Sequence, residues 1–177
     1  MLLENQTIKL RAPEPEDLDL LYKWENNPDL WVVSNTPQPY SRYALKQYIE
    51  QCGQSIYESL QLRLMIIEKQ SNTTIGTVDL FDFDVHNSRI ALGLYIEASY
   101  QGKGFATEAL HLTEQYIFEH LKLNQLYCHI AVNNTASCKM FEKEGYLKNG
   151  VLKSWIKTPN GFEDIIVFQK FSSGYEI

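Results

Sequence analysis

The apolar positions of this chain change period several times, and each change marks an element. Thr7 to Arg11 alternates polar and apolar residues as a half-buried strand does, and PEPEDLDLLYKW then brings prolines and acids suited to a helix start. The stretch NNPDLWVVSNTPQPYS is rich in turn formers yet carries Trp31 and Val32, so it is expected to be a long loop with an apolar patch able to line a pocket. After Ser41, an N-cap candidate, Ala44, Leu45, Tyr48, Ile49 and Cys52 recur at helical spacing. Leu62 to Glu68, Thr74 to Phe83 and Arg89 to Ile96 are short apolar or alternating runs separated by SN and DVHNS, which predicts an antiparallel meander. Ala106, Ala109, Leu110, Thr113, Ile117 and Leu121 share one helix face, and Gln125 to Val132 reads as a buried strand, so this part is a βαβ unit. Asn134 can cap a further helix with Met140 and Phe141 on its inner face and Gly145 past its end. Val151 to Lys157, a PNG turn and Glu163 to Phe171 predict a closing hairpin.

No repeat, low-complexity tract or linker interrupts this order, and 177 residues suit one domain rather than two. The expectation is a single α/β (α+β) domain over residues 1–177, with a mixed, mostly antiparallel central sheet flanked by helices. Hydrophobic residues at 44% and charged residues at 21% fit a packed core. A net charge of -6 argues against general affinity for nucleic acid or an anionic membrane, either of which needs a basic face. Cys52, Cys128 and Cys138 are widely spaced and form no CxxC pair, so reduced thiols are expected. His86, His111, His120 and His129 show no ligand spacing, so they read as structural or surface residues and no metal is expected. MLLENQTIKLR lacks the basic start and apolar run of a signal peptide, and no segment approaches about 18 uninterrupted apolar residues. A cytoplasmic protein is the expectation.

SYQGKGFATEAL, residues 99 to 110, runs from the end of a predicted strand through two glycines into a predicted helix. Such a turn leaves several N–H groups without intrachain partners at a positive dipole end, a seat for phosphate. Gly102 and Gly104 permit positive φ and close approach of a ligand, and Lys103 adds charge at the rim. A plain strand-to-helix turn explains the glycines equally well on spacing alone. GxxxxGK[ST] and GxGxxG are both absent, which removes the nucleoside-triphosphate and dinucleotide loops.

Gln101, Gly104 and Ala106 fit the QxxGxG/A signature of the GNAT family of N-acetyltransferases, and NTASCKMFEKEGY, residues 134 to 146, resembles that family's NxxSxxxYxKxGF helix. The two motifs lie in the same order on either side of a predicted strand. KLRAPEPEDLDLLYKWENNP and YQGKGFATEAL most resemble the subgroup that includes ribosomal-protein N-terminal and spermidine/spermine acetyltransferases. The resemblance implies acetyl-CoA as cosubstrate and an amine acceptor, either a polyamine or diamine or a protein N-terminus. It implies that Leu94, Tyr95 and Ile96 offer backbone groups to the pantetheine arm as an added strand would. Gln101, Gly102, Lys103, Gly104, Phe105, Ala106 and Thr107 would hold the pyrophosphate. Asn134 would hydrogen-bond the pantetheine, with Ser137 and Phe141 further along that helix, and a homodimer joined near the C-terminal hairpin would suit the family.

Acetyl transfer needs a neutral amine, a polarised thioester carbonyl and a departing thiolate. Deprotonating an amine of pKa near 10.4 at pH 7 costs about 4–5 kcal/mol, whereas a thiol of pKa about 8.5 already leaves well. Many family members protonate the thiolate with a tyrosine, and this chain has Phe141 at that position. Ser137 and Cys138, one turn earlier, are the acid candidates, with Tyr146 nearby in sequence. For the amine, Asp79, Asp82 and Asp84 form the acidic cluster, and strand periodicity puts Asp82 and Asp84 on one face. Asp82 is the substrate-binding or base candidate, because an acidic residue at the matching position of the polyamine-acetylating subgroup contacts substrate. Asp84 reads more simply as an edge-strand charge. Glu25 and Asp29 are candidates for the cleft border. Loss of the tyrosine keeps open a second reading, a catalytically weak CoA-binding sensor or regulatory module.

Overall fold

The computed structural model describes residues 2–34 and 36–172, with the side chains of residues 32–34 outside that description. Its elements are β1 (Ile8–Arg11), α1 (Leu18–Glu25), α2 (Pro28–Ser34), α3 (Arg42–Gln51), α4 (Ile56–Ser59), β2 (Leu62–Glu68), β3 (Thr73–Asp84) and β4 (Arg89–Ile96), followed by α5 (Phe105–Glu114), β5 (Gln125–Ala131), α6 (Thr135–Lys143), β6 (Leu147–Thr158) and β7 (Gly161–Phe171). A π-helical turn at Gln115–His120 extends α5.

The strands make one sheet in the order β1-β2-β3-β4-β5-β7-β6. Every pairing is antiparallel except β4 with β5, which is parallel and covers only Arg89↔Gln125, Ile90↔Leu126 and Ala91↔Tyr127. Beyond that point β4 continues to Ile96 and β5 to Ala131 without a shared ladder, so the sheet is notched in its middle.

The two faces of the sheet are packed differently. On one face Leu64, Val78, Leu80, Leu92, Leu126, Cys128 and Ile130 join the α5 residues Ala109, Leu110 and Leu112 and Phe141 of α6 in the main core. On the other, Met65 and Ile67 meet Leu21 and Trp24 of α1 and Ile49 of α3, with Tyr95 against them. Arg11 ties β1 to the entry of α1 through both carboxylate oxygens of the buried Asp17, at 2.6 and 2.9 Å. The Ser41 hydroxyl oxygen accepts from the Ala44 N–H at 3.0 Å and caps α3, as its position predicts.

Three expectations change. The stretch expected to be a loop contains α2, with Pro28 in its first turn, and Asn26 closes the segment by bonding the backbone of Tyr40 in both directions, at 2.9 and 3.0 Å. Trp31 donates its indole N–H to the Glu25 carbonyl at 2.8 Å, while the Val32 part of the apolar patch lies outside the described residues. The one-turn α4 was not expected; it holds together by a capping box between Ser55 and Glu58. The hairpin starts at Leu147 rather than Val151, because β6 passes two irregularities in its pairing with β7 and still stays in the sheet.

Candidate active site

The notch and the turn after β4 form the first half of the site. Gly102 and Gly104 have φ of 73° and 88°, and a Cβ on either would meet nothing within 4 Å. Both are therefore demanded by backbone conformation, and open space lies beside them. After Gln101, the next N–H in the segment with a backbone acceptor is that of Glu108, bonded to the Gly104 carbonyl at 3.1 Å. The six amides of residues 102–107 are thus left without backbone partners at the start of a ten-residue helix, among the described residues.

The Gln101 side chain is committed elsewhere: its Nε2 donates to the Ile96 carbonyl at 2.8 Å and staples the turn to the end of β4. Lys103 does not reach over the turn, since its Nζ lies 5.1 Å from the centre of the Tyr100 ring. Leu94, Tyr95 and Ile96 pair with Val78, Thr77 and Gly76 on one edge and, among the described residues, have no strand on the edge that faces β5.

Asn134, Ser137, Cys138 and Phe141 line α6 beyond the notch. The Asn134 Oδ1 accepts from the Ser137 N–H at 3.2 Å and caps the helix, which leaves its Nδ2 without a hydrogen bond among the described residues. Cys138 is buried, its Sγ lies 3.9 Å from the Ala131 carbonyl, and burial pushes its thiol up. Phe141 is 4% exposed and meets Tyr146 edge-to-face at 4.8 Å. The Tyr146 hydroxyl is also buried; burial, then Glu114 of α5, drives it well above the usual tyrosine range, so it stays protonated.

The opposite face of the sheet carries the polar groups. Arg63 of β2 pairs with both Asp79 of β3 and Glu25 of α1, and its guanidinium lies 5.3 Å from the Tyr48 ring centre. Burial opposes the charge on Arg63, but Asp79 and Glu25 outweigh it. Asp84 accepts from the N–H and side chain of Asn87 and pairs with Arg89 at 2.9 Å. Of the three aspartates only Asp82 is exposed and without a hydrogen bond or ion pair among the described residues. Its φ of 50° belongs to a bulge between Phe81 and Asp84, so irregular backbone rather than a period of two sets its direction.

Two residues join this site that sequence reasoning left aside. Tyr127 and His129 alternate with the core residues Leu126, Cys128 and Ile130, so they face away from α5 and α6. Their rings lie 5.7 Å apart. Asp82 acts on both: burial first, then Asp82, raises the half-buried Tyr127 hydroxyl, and partial desolvation lowers the imidazole of the exposed His129 against the pull of Asp82. The period-two pattern of LYCHI was the available signal, and it gains meaning only once β5 is known to border the notch.

The parallel-strand notch thus has a turn of unpaired amides at one end, suited to an anion, and a carboxylate and an imidazole on its far face. A family model for the acetyltransferase (GNAT) domain matches residues 7–147. An uncharacterized N-acetyltransferase p20 of Bacillus licheniformis is 27% identical over 173 residues, 98% of this chain and 97% of that protein. The spermidine N(1)-acetyltransferase of Vibrio cholerae is 26% identical over 164 residues, 91% of each chain. A crystal structure of spermidine N-acetyltransferase from Vibrio cholerae in complex with CoA and spermine matches with a TM-score of 0.85 at 25% identity, over 96% of this chain and 98% of that one. The chain belongs to the GNAT acetyltransferases and is an acetyl-CoA-dependent N-acetyltransferase.

Among the described residues no three His, Cys, Asp or Glu side chains gather to hold a metal ion. No described helix is long and apolar enough to cross a membrane.

Proposed function

We propose that this one domain, residues 1–177, binds acetyl-CoA in the notch between β4 and β5 and moves its acetyl group to a primary amine of a polyamine, a diamine or a protein N-terminus. The observation that carries this reading is the run of six free amides at residues 102–107, set where the β4–β5 ladder ends. In it the amides of Gly102, Lys103, Gly104, Phe105, Ala106 and Thr107 hold the pyrophosphate, with Gln101 fixing the turn from beneath. Pantetheine pairs with the free edge of β4 at Leu94 and Tyr95, while the Ile96 carbonyl is held by Gln101. The Asn134 Nδ2 is free to donate to a pantetheine carbonyl.

Asp82 is the carboxylate left to attract the cationic amine, because Asp79 and Asp84 already have cations of their own. The sulfur leaves as thiolate with a hydrogen bond from Ser137 or water. Cys138 is the poorer acid, since its raised thiol would give up a proton uphill to a CoA thiolate of pKa about 8.5. The working compartment in this reading is the reducing cytoplasm, which suits three free thiols, and the assembly is a homodimer joined at the β6–β7 hairpin, whose exposed Val151, Trp155 and Phe162 favour burial.

The test is release of free CoA thiol from acetyl-CoA in the presence of polyamines, aminoglycosides and peptides with free N-termini. Release with at least one amine supports the reading. Tight acetyl-CoA binding without release from any of them favours the second reading, a CoA-binding sensor or regulatory module, for which the burial of Phe141 against Tyr146 is the supporting observation.

A further inference from the structure

We propose that His129 is the general base that takes the proton from the acceptor amine, with the carboxylate of Asp82 holding the imidazolium that results. The inference rests on the acetyl-transfer reading above and adds the group that performs its most demanding step.

Position is the first argument. The ladder between β4 and β5 stops at Ala91↔Tyr127, and His129 is the next residue of β5 on the same face as Tyr127. Had the ladder continued, Gly93 would have been its partner, so His129 borders the notch in which the acetyl-transfer reading places the thioester. Gly93 has no side chain to fill that space, and on the other side of β5 the register partner of His129 is Val167, which neither donates nor accepts a proton.

Charge is the second. The titratable groups on this face around His129 are Asp79, Asp82 and Asp84 of β3, Arg89 of β4 and Tyr127 of β5; Asp79, beside Gly93, is already paired with Arg63 of β2, and Asp82 sits in the bulge next to the Phe81↔Ala91 and Ala91↔Tyr127 register. Asp84 and Arg89 neutralise each other at 2.9 Å, and burial keeps Tyr127 protonated. Asp82 is left as the charge that acts on the ring. His129 is exposed on this face, within reach of solvent and of an incoming amine; partial desolvation by its neighbours lowers the imidazole while Asp82 pulls the other way, so the ring is neutral at pH 7, the form with a free lone pair.

The proton balance closes. An ammonium R–NH3+ gives one proton to the imidazole, and the neutral nitrogen attacks the thioester carbonyl carbon. The C–S bond breaks, its electron pair leaves on sulfur, and the nitrogen sheds a second proton as the amide forms. One proton ends on the CoA thiol and the other passes from His129 to water, so R–NH3+ and acetyl-CoA give R–NH–acetyl, CoA and H+.

The experiment compares the wild-type chain with His129→Gln, which keeps a polar side chain but accepts no proton, using spermidine or whichever amine releases most CoA. Expected for wild type is a kcat/KM that falls as pH drops through a value below the ordinary histidine figure of about 6.5. His129→Gln should lose that acidic limb and about 10²–10⁴-fold in kcat at pH 7, with acetyl-CoA affinity unchanged. An unchanged limb and less than a threefold loss in kcat would overturn the proposal. NMR titration of the His129 ring gives a readout that needs no turnover: Asp82→Asn should move its midpoint further down, and a midpoint that stays in place overturns the pairing. Absence of CoA release by wild type with every amine would instead count against the acetyl-transfer reading itself.

Discussion

Phe141 occupies a place where a hydroxyl would help the leaving group and where the fold gives it little room. Its ring is 4% exposed and closed in by Tyr146 and Phe168. A hydroxyl added there without a partner costs about 1–3 kcal/mol, whereas one that reaches the CoA sulfur regains a hydrogen bond. Phe141→Tyr is therefore expected to lower the melting temperature of the ligand-free chain, to recover part of the loss with CoA bound, and to leave kcat unchanged or higher. A collapse of kcat with intact acetyl-CoA binding would show that the ring packs the site in a way that excludes the hydroxyl. Gly104 makes the complementary case. Its φ of 88° costs an L-residue about 1–2 kcal/mol, yet a methyl there touches nothing. Gly104→Ala should accordingly destabilise the folded chain by about 1–2 kcal/mol, which urea denaturation reads, while isothermal titration should show acetyl-CoA affinity changed by less than this strain, because the turn already holds this φ without ligand.

Between elements, the Glu25–Arg63–Asp79 cluster joins α1 to the middle of the sheet. It is mostly buried, so the value of the arrangement lies in the penalty for breaking it: removing the cation alone leaves two carboxylates facing each other in low dielectric. Arg63→Met is expected to destabilise by about 3–5 kcal/mol, and adding Asp79→Asn should return part of that, as a double-mutant cycle in urea would measure. Nothing in the sequence announced this cluster, because Glu25, Arg63 and Asp79 are far apart in the chain and meet only through the β2–β3 register Arg63↔Asp79 and the seating of α1. Local signals were legible where the physics is local: the alternation of β2 to β4, the Ser41 cap, the glycine turn and the Asn134 cap each appear as expected. α2 was hidden because seven residues following two asparagines and ending among turn formers carry too little helical periodicity. Among the aspartates, composition grouped three and the family resemblance pointed to Asp82; tertiary pairing adds the physical reason, since Asp79 and Asp84 each have a cation and Asp82 has none among the described residues.

At the scale of the whole molecule the sheet is two ladders, β1–β4 and β5–β7–β6, joined by three parallel register pairs at residues 89–91 and 125–127. A ligand that lies in the notch and on the amides of 102–107 touches both halves, so its binding energy adds to the stability of the folded chain. At 100 times its dissociation constant, acetyl-CoA should contribute about 2.7 kcal/mol, which for a domain of this size is a rise of about 5–10 °C in melting temperature. The same binding should slow hydrogen exchange at the amides of residues 102–107, which have no backbone acceptor among the described residues. Protection confined to the α1–α3 face with no change at residues 102–107 would place the ligand elsewhere. A chain whose melting temperature is indifferent to acetyl-CoA would show that the notch is a structural gap and not a cofactor seat.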